Sequence, residues 1–186
     1  ECQDYVRFDQ IGDTTVLVVS DGAGSASHGQ VGATRVADCV SEYILKQSED
    51  TLARPFSNQE ALFGIVQLGI LDARSRIAVE NELINEQQKS TLMNRVVDLV
   101  RRRETKEPEP HFVALGDPAA TLLVAIASPL ETLFVHLGDG YGFGLKYERD
   151  EKSAEVTVQH VTASFPENGE YANETYFFTD EKWREH

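Results

Sequence analysis

The chain has 186 residues, of which 41% are hydrophobic and 26% are charged, proportions typical of a single soluble domain. Its formal net charge of −14 repels nucleic-acid phosphates and anionic lipids, so we expect neither nucleic acid nor a membrane as a partner. The sequence contains no run of 18 apolar residues that would indicate a membrane span. The spacing of its two cysteines, Cys2 and Cys39, fits neither a disulfide framework nor a zinc site. Together these features predict a protein of the reducing cytoplasm.

The first two predicted elements are strands, Tyr5–Ile11 and Thr14–Ser20, joined by a Gly-Asp pair that is typical of a hairpin turn. The apolar run from Val16 to Val19 predicts that the second strand is buried on both faces. This strand leads into the sequence SDGAG (20–24), in which a carboxylate is followed by glycines that allow close backbone approach. Such an arrangement suits a hard cation or a phosphate.

Three helices are predicted next, because apolar residues recur at helical spacing. Ser57 and Glu60 form a capping-box pattern at the start of the second helix. The predicted helices cover residues 29–46, a stretch that follows Ser57 and ends before Lys89, and residues 92–103, after which a Glu/Pro linker occupies residues 107–110.

After Pro118 the pattern changes to β structure. Strands are predicted over residues 120–127, 132–137, 141–147, 154–161 and 174–179. Because strands and helices do not alternate, this order argues against a doubly wound parallel sheet. It favours an α+β fold in which helices cover mostly antiparallel sheet. No internal repeat divides the chain, so we expect a single domain over residues 1–186.

Asp21 and Asp139 each follow an apolar strand and precede a glycine. Two strand-end aspartates in glycine turns suggest a binuclear Mg²⁺ or Mn²⁺ site and phosphoryl chemistry. Each motif also has a structural interpretation, since Asp139-Gly140 is the usual sequence of a tight hairpin turn and the loop after Asp21 can be a turn alone. That loop lacks the third glycine of a dinucleotide fingerprint and the lysine of a Walker loop. His136 is interpreted as a packed core histidine and His28 as a solvated loop residue.

Several segments together resemble the metal-dependent Ser/Thr protein phosphatases of type 2C. They are Cys2-Gln3-Asp4, SDGAG (20–24), DPAATLLVAI (117–126) followed by HLGDG (136–140), and FPENGEYANETYFFTD (165–180), the last being similar to a prokaryotic subgroup. The resemblance covers essentially the whole chain and implies an α-β-β-α sandwich of two mostly antiparallel sheets flanked by helices. It also implies Mg²⁺- or Mn²⁺-dependent hydrolysis of phosphoserine and phosphothreonine in proteins by a metal-activated water. The implied partners are a phosphoprotein substrate and a Ser/Thr kinase.

The resemblance carries site roles onto four residues. Asp21 corresponds to the aspartate that bridges two metal ions, and the carbonyl of Gly22 corresponds to a backbone ligand of one of them. Asp4 corresponds to the acid that orients the metal-bound water. Asp139 corresponds to an aspartate that helps to hold a third, looser ion. The implied catalytic residues are therefore Asp4, Asp21 and Asp139.

The sequence also departs from the family pattern. Gln3 stands where some members have a ligating Glu, and Ala23 replaces a His that some members use as a proton donor. The two C-terminal ligand motifs, Ser-Asp-Gly and Asp-Asn, are missing, and Asp180 lacks the following glycine, so we interpret Asp180 as a turn residue rather than a ligand. We expect a fragment truncated at both ends that is inactive alone. Two alternatives stay open, a noncatalytic binding or regulatory module on the same fold and an unrelated acidic α+β domain.

Overall fold

The computed structural model describes residues 2–101, 117–149, 156–165, 175–181 and 183–185. In chain order its elements are β1 (Tyr5–Ile11), β2 (Thr14–Ser20), α1 (Gly29–Ile44), α2 (Glu49–Ala53), α3 (Gln59–Arg101), β3 (Leu122–Ala127), β4 (Thr132–Leu137), β5 (Gly142–Arg149), β6 (Val156–Ser164) and a 3₁₀ turn, Trp183–Glu185. Helices combined with antiparallel sheets confirm the predicted α+β class. Within the described ranges, no helix has the length and apolarity needed to cross a membrane.

Four of the strands form one sheet in the order β1-β2-β3-β4, and every neighbouring pair is antiparallel. Strands β5 and β6 form a separate antiparallel pair with a register shift between Gly144 and Leu145. Because each strand reverses direction, the start of β1, the end of β2, the start of β3 and the end of β4 lie at the same end of the larger sheet. Whatever these strand ends carry is therefore brought together.

One face of the larger sheet packs against the helices and forms the core. Val16 and Val18 on β2 are completely buried, as are Val36 and Val40 on α1. Helix α3 lies very close to α1, since a Cβ on Gly69 would be only 2.6 Å from Val40 Cα. The β1 hairpin turn is confirmed, and Gly12 adopts the positive φ of 55° that such a turn requires.

The opposite face of the sheet is only partly covered, so the prediction that β2 is buried on both faces is wrong. Leu17 and Val19 are half-buried while their neighbours on the strand are fully buried. Their side chains line an apolar cleft of about 230 Å³ together with Phe134 and Tyr141. The cleft is also lined by Gly142 and Phe143 at the start of β5, so this end of β5 covers the face only in part.

The helical region differs from the prediction in three ways. The second and third predicted helices are one continuous helix, α3, because no proline interrupts residues 59–101. The predicted capping box is wrong, since the hydroxyl of Ser57 donates to Glu131 at 2.8 Å instead of capping the helix. The short helix α2 was missed, although Ser48 caps it by accepting a hydrogen bond from the backbone N–H of Thr51 at 3.2 Å.

The last predicted strand is also wrong. Residues 177–181 form a turn in which the backbone N–H of Asp180 donates to the carbonyl of Phe177 at 3.0 Å. The carboxylate of Asp180 accepts from the Phe177 N–H at 2.7 Å, so this donor is not available to a sheet. Strand β3 begins at Leu122 rather than at Ala120, which forms an isolated bridge with Gly22. The predicted linker over residues 107–110 lies outside the described residues.

Candidate functional site

The predicted site residues lie at the end of the sheet where four strand ends meet. Asp4 directly precedes β1 and Asp21 directly follows β2. Asp139 follows β4 after a single glycine. All three aspartates are exposed to solvent. The antiparallel order of the strands thus brings together residues that are far apart in the sequence.

The backbone after Asp21 is held in a narrow space that only glycine fits. A Cβ on Gly22 would lie 2.4 Å from the carbonyl carbon of Gly29 and 2.9 Å from the carbonyl oxygen of Gln3. On the other side, the N–H of Ala23 donates to the carbonyl of Ala119 at 2.9 Å. The Asp-Gly-Ala segment is therefore fixed between the N-terminus of α1, the segment before β1 and the segment before β3.

Gln3 fixes the same loop from the opposite direction. Its carbonyl accepts a hydrogen bond from the N–H of Gly22 at 3.3 Å. In the amide orientation that satisfies its hydrogen bonding, its side-chain nitrogen donates to the carbonyls of Gly22 and Ala23, both at 3.0 Å. The Gly22 carbonyl, which the resemblance implies as a metal ligand, thus already accepts one hydrogen bond and keeps one lone pair available.

The carboxyl groups of Asp4 and Asp21 are neighbours, and a hydrogen bond between them favours the protonated form of Asp21. The pKa of Asp21 is raised to about 6, first because partial burial of its carboxyl disfavours the charged form. The hydrogen bond with Asp4 and the negative charges of Asp4 and Asp139 raise the pKa further. Asp21 as a whole residue is exposed, so a ligand can reach its carboxyl group. The neighbouring negative charges of Asp4 and Asp139 favour binding of a proton or a cation there.

Asp139 lies in a turn that connects the two sheets. Strand β4 pairs with β3 and β5 pairs with β6, so the interpretation of Asp139-Gly140 as a tight hairpin turn is wrong. The residue with the unusual backbone is Gly138, whose φ is 113° and whose Cβ, if present, would lie 2.8 Å from Thr121 Cγ2. The turn leaves Asp139 near enough to the Asp21 loop for its negative charge to raise the pKa of Asp21.

Sequence analysis missed Thr121 as a residue of this region. Thr121 is buried, its N–H donates to the carbonyl of Asp21 at 2.9 Å, and its hydroxyl accepts from the N–H of Asp21 at 3.2 Å. The only sequence signal is a hydroxyl residue at the beginning of an apolar strand, which is too common to single out. Gln3 was identified as a position, but not its contact with the loop.

The remaining candidates lie elsewhere or have other partners. His136 on β4 is half-buried, and its Nδ1 contacts the hydroxyl of Ser164. His28 precedes α1, and its Nδ1 lies 3.2 Å from the hydroxyl of Ser27. The carboxylate of Asp180 closes its own turn, as the interpretation of Asp180 as a turn residue requires. Both cysteines are free thiols.

The donor chemistry fits a divalent cation, although the arrangement is open. The charges of Asp4 and Asp139 both act on Asp21, but no three acidic, His or Cys side chains of the described residues are close enough to surround an ion. Every contribution to the pKa of Asp21 raises it, and none comes from a described Lys or Arg. Oxygen ligands without a cationic side chain are what Mg²⁺ and Mn²⁺ prefer.

Comparison with known proteins agrees with this geometry. A family model described as Protein phosphatase 2C matches residues 1–186. Serine/threonine-protein phosphatase 3 of Escherichia coli (strain K12) is 30% identical over 170 residues, which cover 89% of this chain and 48% of that protein. The chain thus spans about half the length of this curated relative. Because the family model matches the chain from end to end, the chain belongs to the protein phosphatase 2C family.

Proposed function

We propose that the protein containing this chain hydrolyses phosphoserine and phosphothreonine in proteins and requires Mg²⁺ or Mn²⁺. The observation that carries this proposal is that Asp4, Asp21 and Asp139 follow or precede strand ends at the same end of the sheet, where the charges of Asp4 and Asp139 raise the pKa of Asp21. Like charges in contact are unfavourable unless a proton or a cation lies between them. Family membership supports phosphoprotein hydrolysis, and the Escherichia coli relative is named a serine/threonine-protein phosphatase.

The proposed ligands are Asp21, Asp4, Asp139 and the free lone pair of the Gly22 carbonyl. In this proposal Asp21 would hold two ions and Asp139 would help to hold a third. Such cations, when bound, neutralise phosphate charge and make a water molecule nucleophilic at neutral pH. This neutralisation matters here, because a chain with a net charge of −14 otherwise repels a phosphorylated substrate.

The remaining roles belong to the residues of the chain itself. We propose that Asp4 accepts a hydrogen bond from a group held by Asp21, and the effect of Asp4 on the pKa of Asp21 supports this role. Gln3 keeps the Gly22 carbonyl in a fixed direction through its bonds at 3.0 Å. Ala23 has no ionisable proton, so the leaving serine or threonine oxygen must receive its proton from water. A cytoplasmic location and a Ser/Thr kinase that produces the substrate belong to the same proposal.

The proposal can be tested with the full-length protein and a phosphothreonine peptide. Activity should require added Mn²⁺ and should disappear with a chelator. Asp21→Asn removes a bridging charge and should lower turnover by several orders of magnitude. Asp13→Asn makes the same change of charge in the exposed hairpin turn at the other end of the sheet and should leave turnover unchanged. Near-normal turnover of Asp21→Asn, or activity that the chelator does not affect, would contradict the proposal.

One observation favours the second candidate, a noncatalytic phosphatase-like module. The Gln3 amide occupies the carbonyls of both Gly22 and Ala23, an arrangement that holds the loop without a metal. A module of this kind should bind a phosphopeptide without turning it over. Measuring binding and turnover on the same full-length preparation separates the two functions.

A further inference from the structure

Thr121 joins the end of β2 to the beginning of β3 through an unusually complete set of bonds. Its N–H donates to the carbonyl of Asp21 at 2.9 Å, and its hydroxyl accepts from the Asp21 N–H at 3.2 Å. Its own carbonyl accepts from the hydroxyl of Ser20 at 2.5 Å. The backbone of Asp21 is therefore held at both its donor and its acceptor by a single residue.

The other side of Thr121 contacts the turn that carries Asp139. A Cβ on Gly138 would lie 2.8 Å from Thr121 Cγ2 and 2.9 Å from Thr121 Cβ, so the two residues are packed against each other. The same Cβ on Gly138 would also be 3.1 Å from the carbonyl oxygen of Tyr176, so Tyr176 packs against this turn as well. The methyl group of Thr121 thus limits how closely the Gly138-Asp139 turn can approach the Asp21 loop.

Burial strengthens the hydrogen bonds by which Thr121 holds the Asp21 loop. Thr121 is 8% exposed, and Ser20 is completely buried, so their polar groups have no ready alternative partners in water. An unpaired polar group in such a place is costly, which holds the hydroxyl of Thr121 on the Asp21 N–H. The side chains of Asp21 and Asp139, in contrast, are exposed and are free to face a ligand.

We propose that Thr121 is a positioning residue that sets the distance between Asp21 and Asp139, its hydroxyl fixing the first and its methyl group supporting the turn of the second. The inference rests on the proposed function in one respect, since it assigns this distance to the proposed metal centre. Residues that orient metal ligands typically change metal affinity 10- to 100-fold when they are replaced.

Two substitutions separate the two halves of the side chain. Thr121→Val keeps the shape and the methyl group but removes the acceptor for the Asp21 N–H. Thr121→Ser keeps the acceptor but removes the methyl group that contacts Gly138. Thr14→Val is the matched control, because Thr14 is also buried on this sheet and its hydroxyl also makes one bond to backbone, with Leu52 at 3.3 Å, but at the opposite end of β2.

The test measures amide hydrogen exchange, Mn²⁺ affinity by calorimetry and phosphopeptide turnover on the full-length protein. Thr121→Val should speed exchange of the Asp21 amide roughly tenfold, because its acceptor is lost. It should also weaken Mn²⁺ binding about tenfold or more and lower kcat more than it changes KM. Thr121→Ser should restore the slow exchange of Asp21 but speed exchange in the Gly138-Asp139 turn. Thr14→Val should lower thermal stability without changing any of these properties.

An unchanged exchange rate of the Asp21 amide in Thr121→Val would overturn the inference. An equal loss of Mn²⁺ affinity in Thr14→Val would also overturn it, because the loss would then follow from lower stability in general. If the unaltered protein binds no Mn²⁺ and turns over no phosphopeptide, the proposed function fails instead. In that case the exchange measurements, which need no metal, decide by themselves whether Thr121 holds the two loops.

Discussion

Gly22 and Gly24 flank Ala23 in the same loop, yet the structure assigns them opposite responses to a methyl group. At Gly22 an added Cβ would meet three backbone atoms, Gly29 C at 2.4 Å, Gly29 O at 2.7 Å and Gln3 O at 2.9 Å. At Gly24 it would meet nothing within 4 Å, and φ is outside the left-handed region. Gly22→Ala is therefore the perturbation, and Gly24→Ala is its control.

The loss of stability in Gly22→Ala depends on whether the atoms near the added methyl group can move away. Backbone atoms cannot rotate away as a flexible side chain can, so the loop must separate from the N-terminus of α1 or from Gln3. Overpacking in a filled site costs about 1–3 kcal/mol, and contacts this short place Gly22→Ala at or above the upper value. In a protein of this size, 1 kcal/mol shifts Tm by about 2–4 °C, which gives a decrease of roughly 6–12 °C. Gly24→Ala should instead add about 0.4–1 kcal/mol, because alanine restricts the unfolded chain.

Calorimetric melting of the two variants beside the unaltered protein checks this difference. Mn²⁺ titration should report the same contrast, since Gly22→Ala displaces both the Asp21 carboxylate and the Gly22 carbonyl while Gly24→Ala displaces neither. Equal melting temperatures of the two variants would refute the packing argument. Normal Mn²⁺ affinity in a destabilised Gly22→Ala protein would show that the loop is not part of a metal centre.

Three further outcomes are expected. Because the pKa of Asp21 is raised from 3.8 to about 6, its contribution to stability is complete below pH 4 and is lost as the pH rises through 6. The Tm of metal-free Asp21→Asn should therefore rise relative to that of the unaltered metal-free protein between pH 4 and pH 7. A Tm difference that does not change with pH would contradict this. Val18→Asp places a charge at a fully buried position, which costs several kcal/mol and should prevent folding, as circular dichroism would show. Glu131→Gln should speed hydrogen exchange at the amides of Phe56 and Ser57, which donate to this carboxylate at 3.1 Å, and unchanged exchange would count against that contact.

The local elements of the first half could be predicted because their signals are local. Both bounds of β1 and β2 match the prediction, since the Gly-Asp turn fixes the hairpin between them. The division of α3 into two helices was wrong, because no proline stands between the two predicted helices to end the first. The final predicted strand was wrong because Asp180 bonds its own turn, a local competition that apolar periodicity does not reveal.

The sequence indicates the candidate carboxylates of the site but not the residues that hold them. Asp21 and Asp139 could be identified from the glycine that follows each, and Asp4 from the family resemblance. The hairpin interpretation of Asp139 was wrong because sequence order does not tell to which sheet β5 belongs. The contacts of Thr121 and Gln3 could not be predicted, because both residues bond to backbone groups of the Asp21 loop, and the positions of backbone groups cannot be read from side-chain patterns.

Sheet topology explains how the few polar residues of this candidate site come together. In the antiparallel order β1-β2-β3-β4, the starts of β1 and β3 lie at the same end of the sheet as the ends of β2 and β4. The residues next to these strand ends, Asp4, Asp21, Thr121 and Asp139, are therefore brought to one end of the sheet. Convergence by itself gives only three mutually repelling charges on an already acidic chain. The buried bonds from Thr121 to both backbone groups of Asp21 oppose that repulsion at the backbone. The fold thus holds the backbone of Asp21 in place before any ligand arrives, whereas the carboxylates of the described residues stay in an open arrangement that a bound cation would have to close.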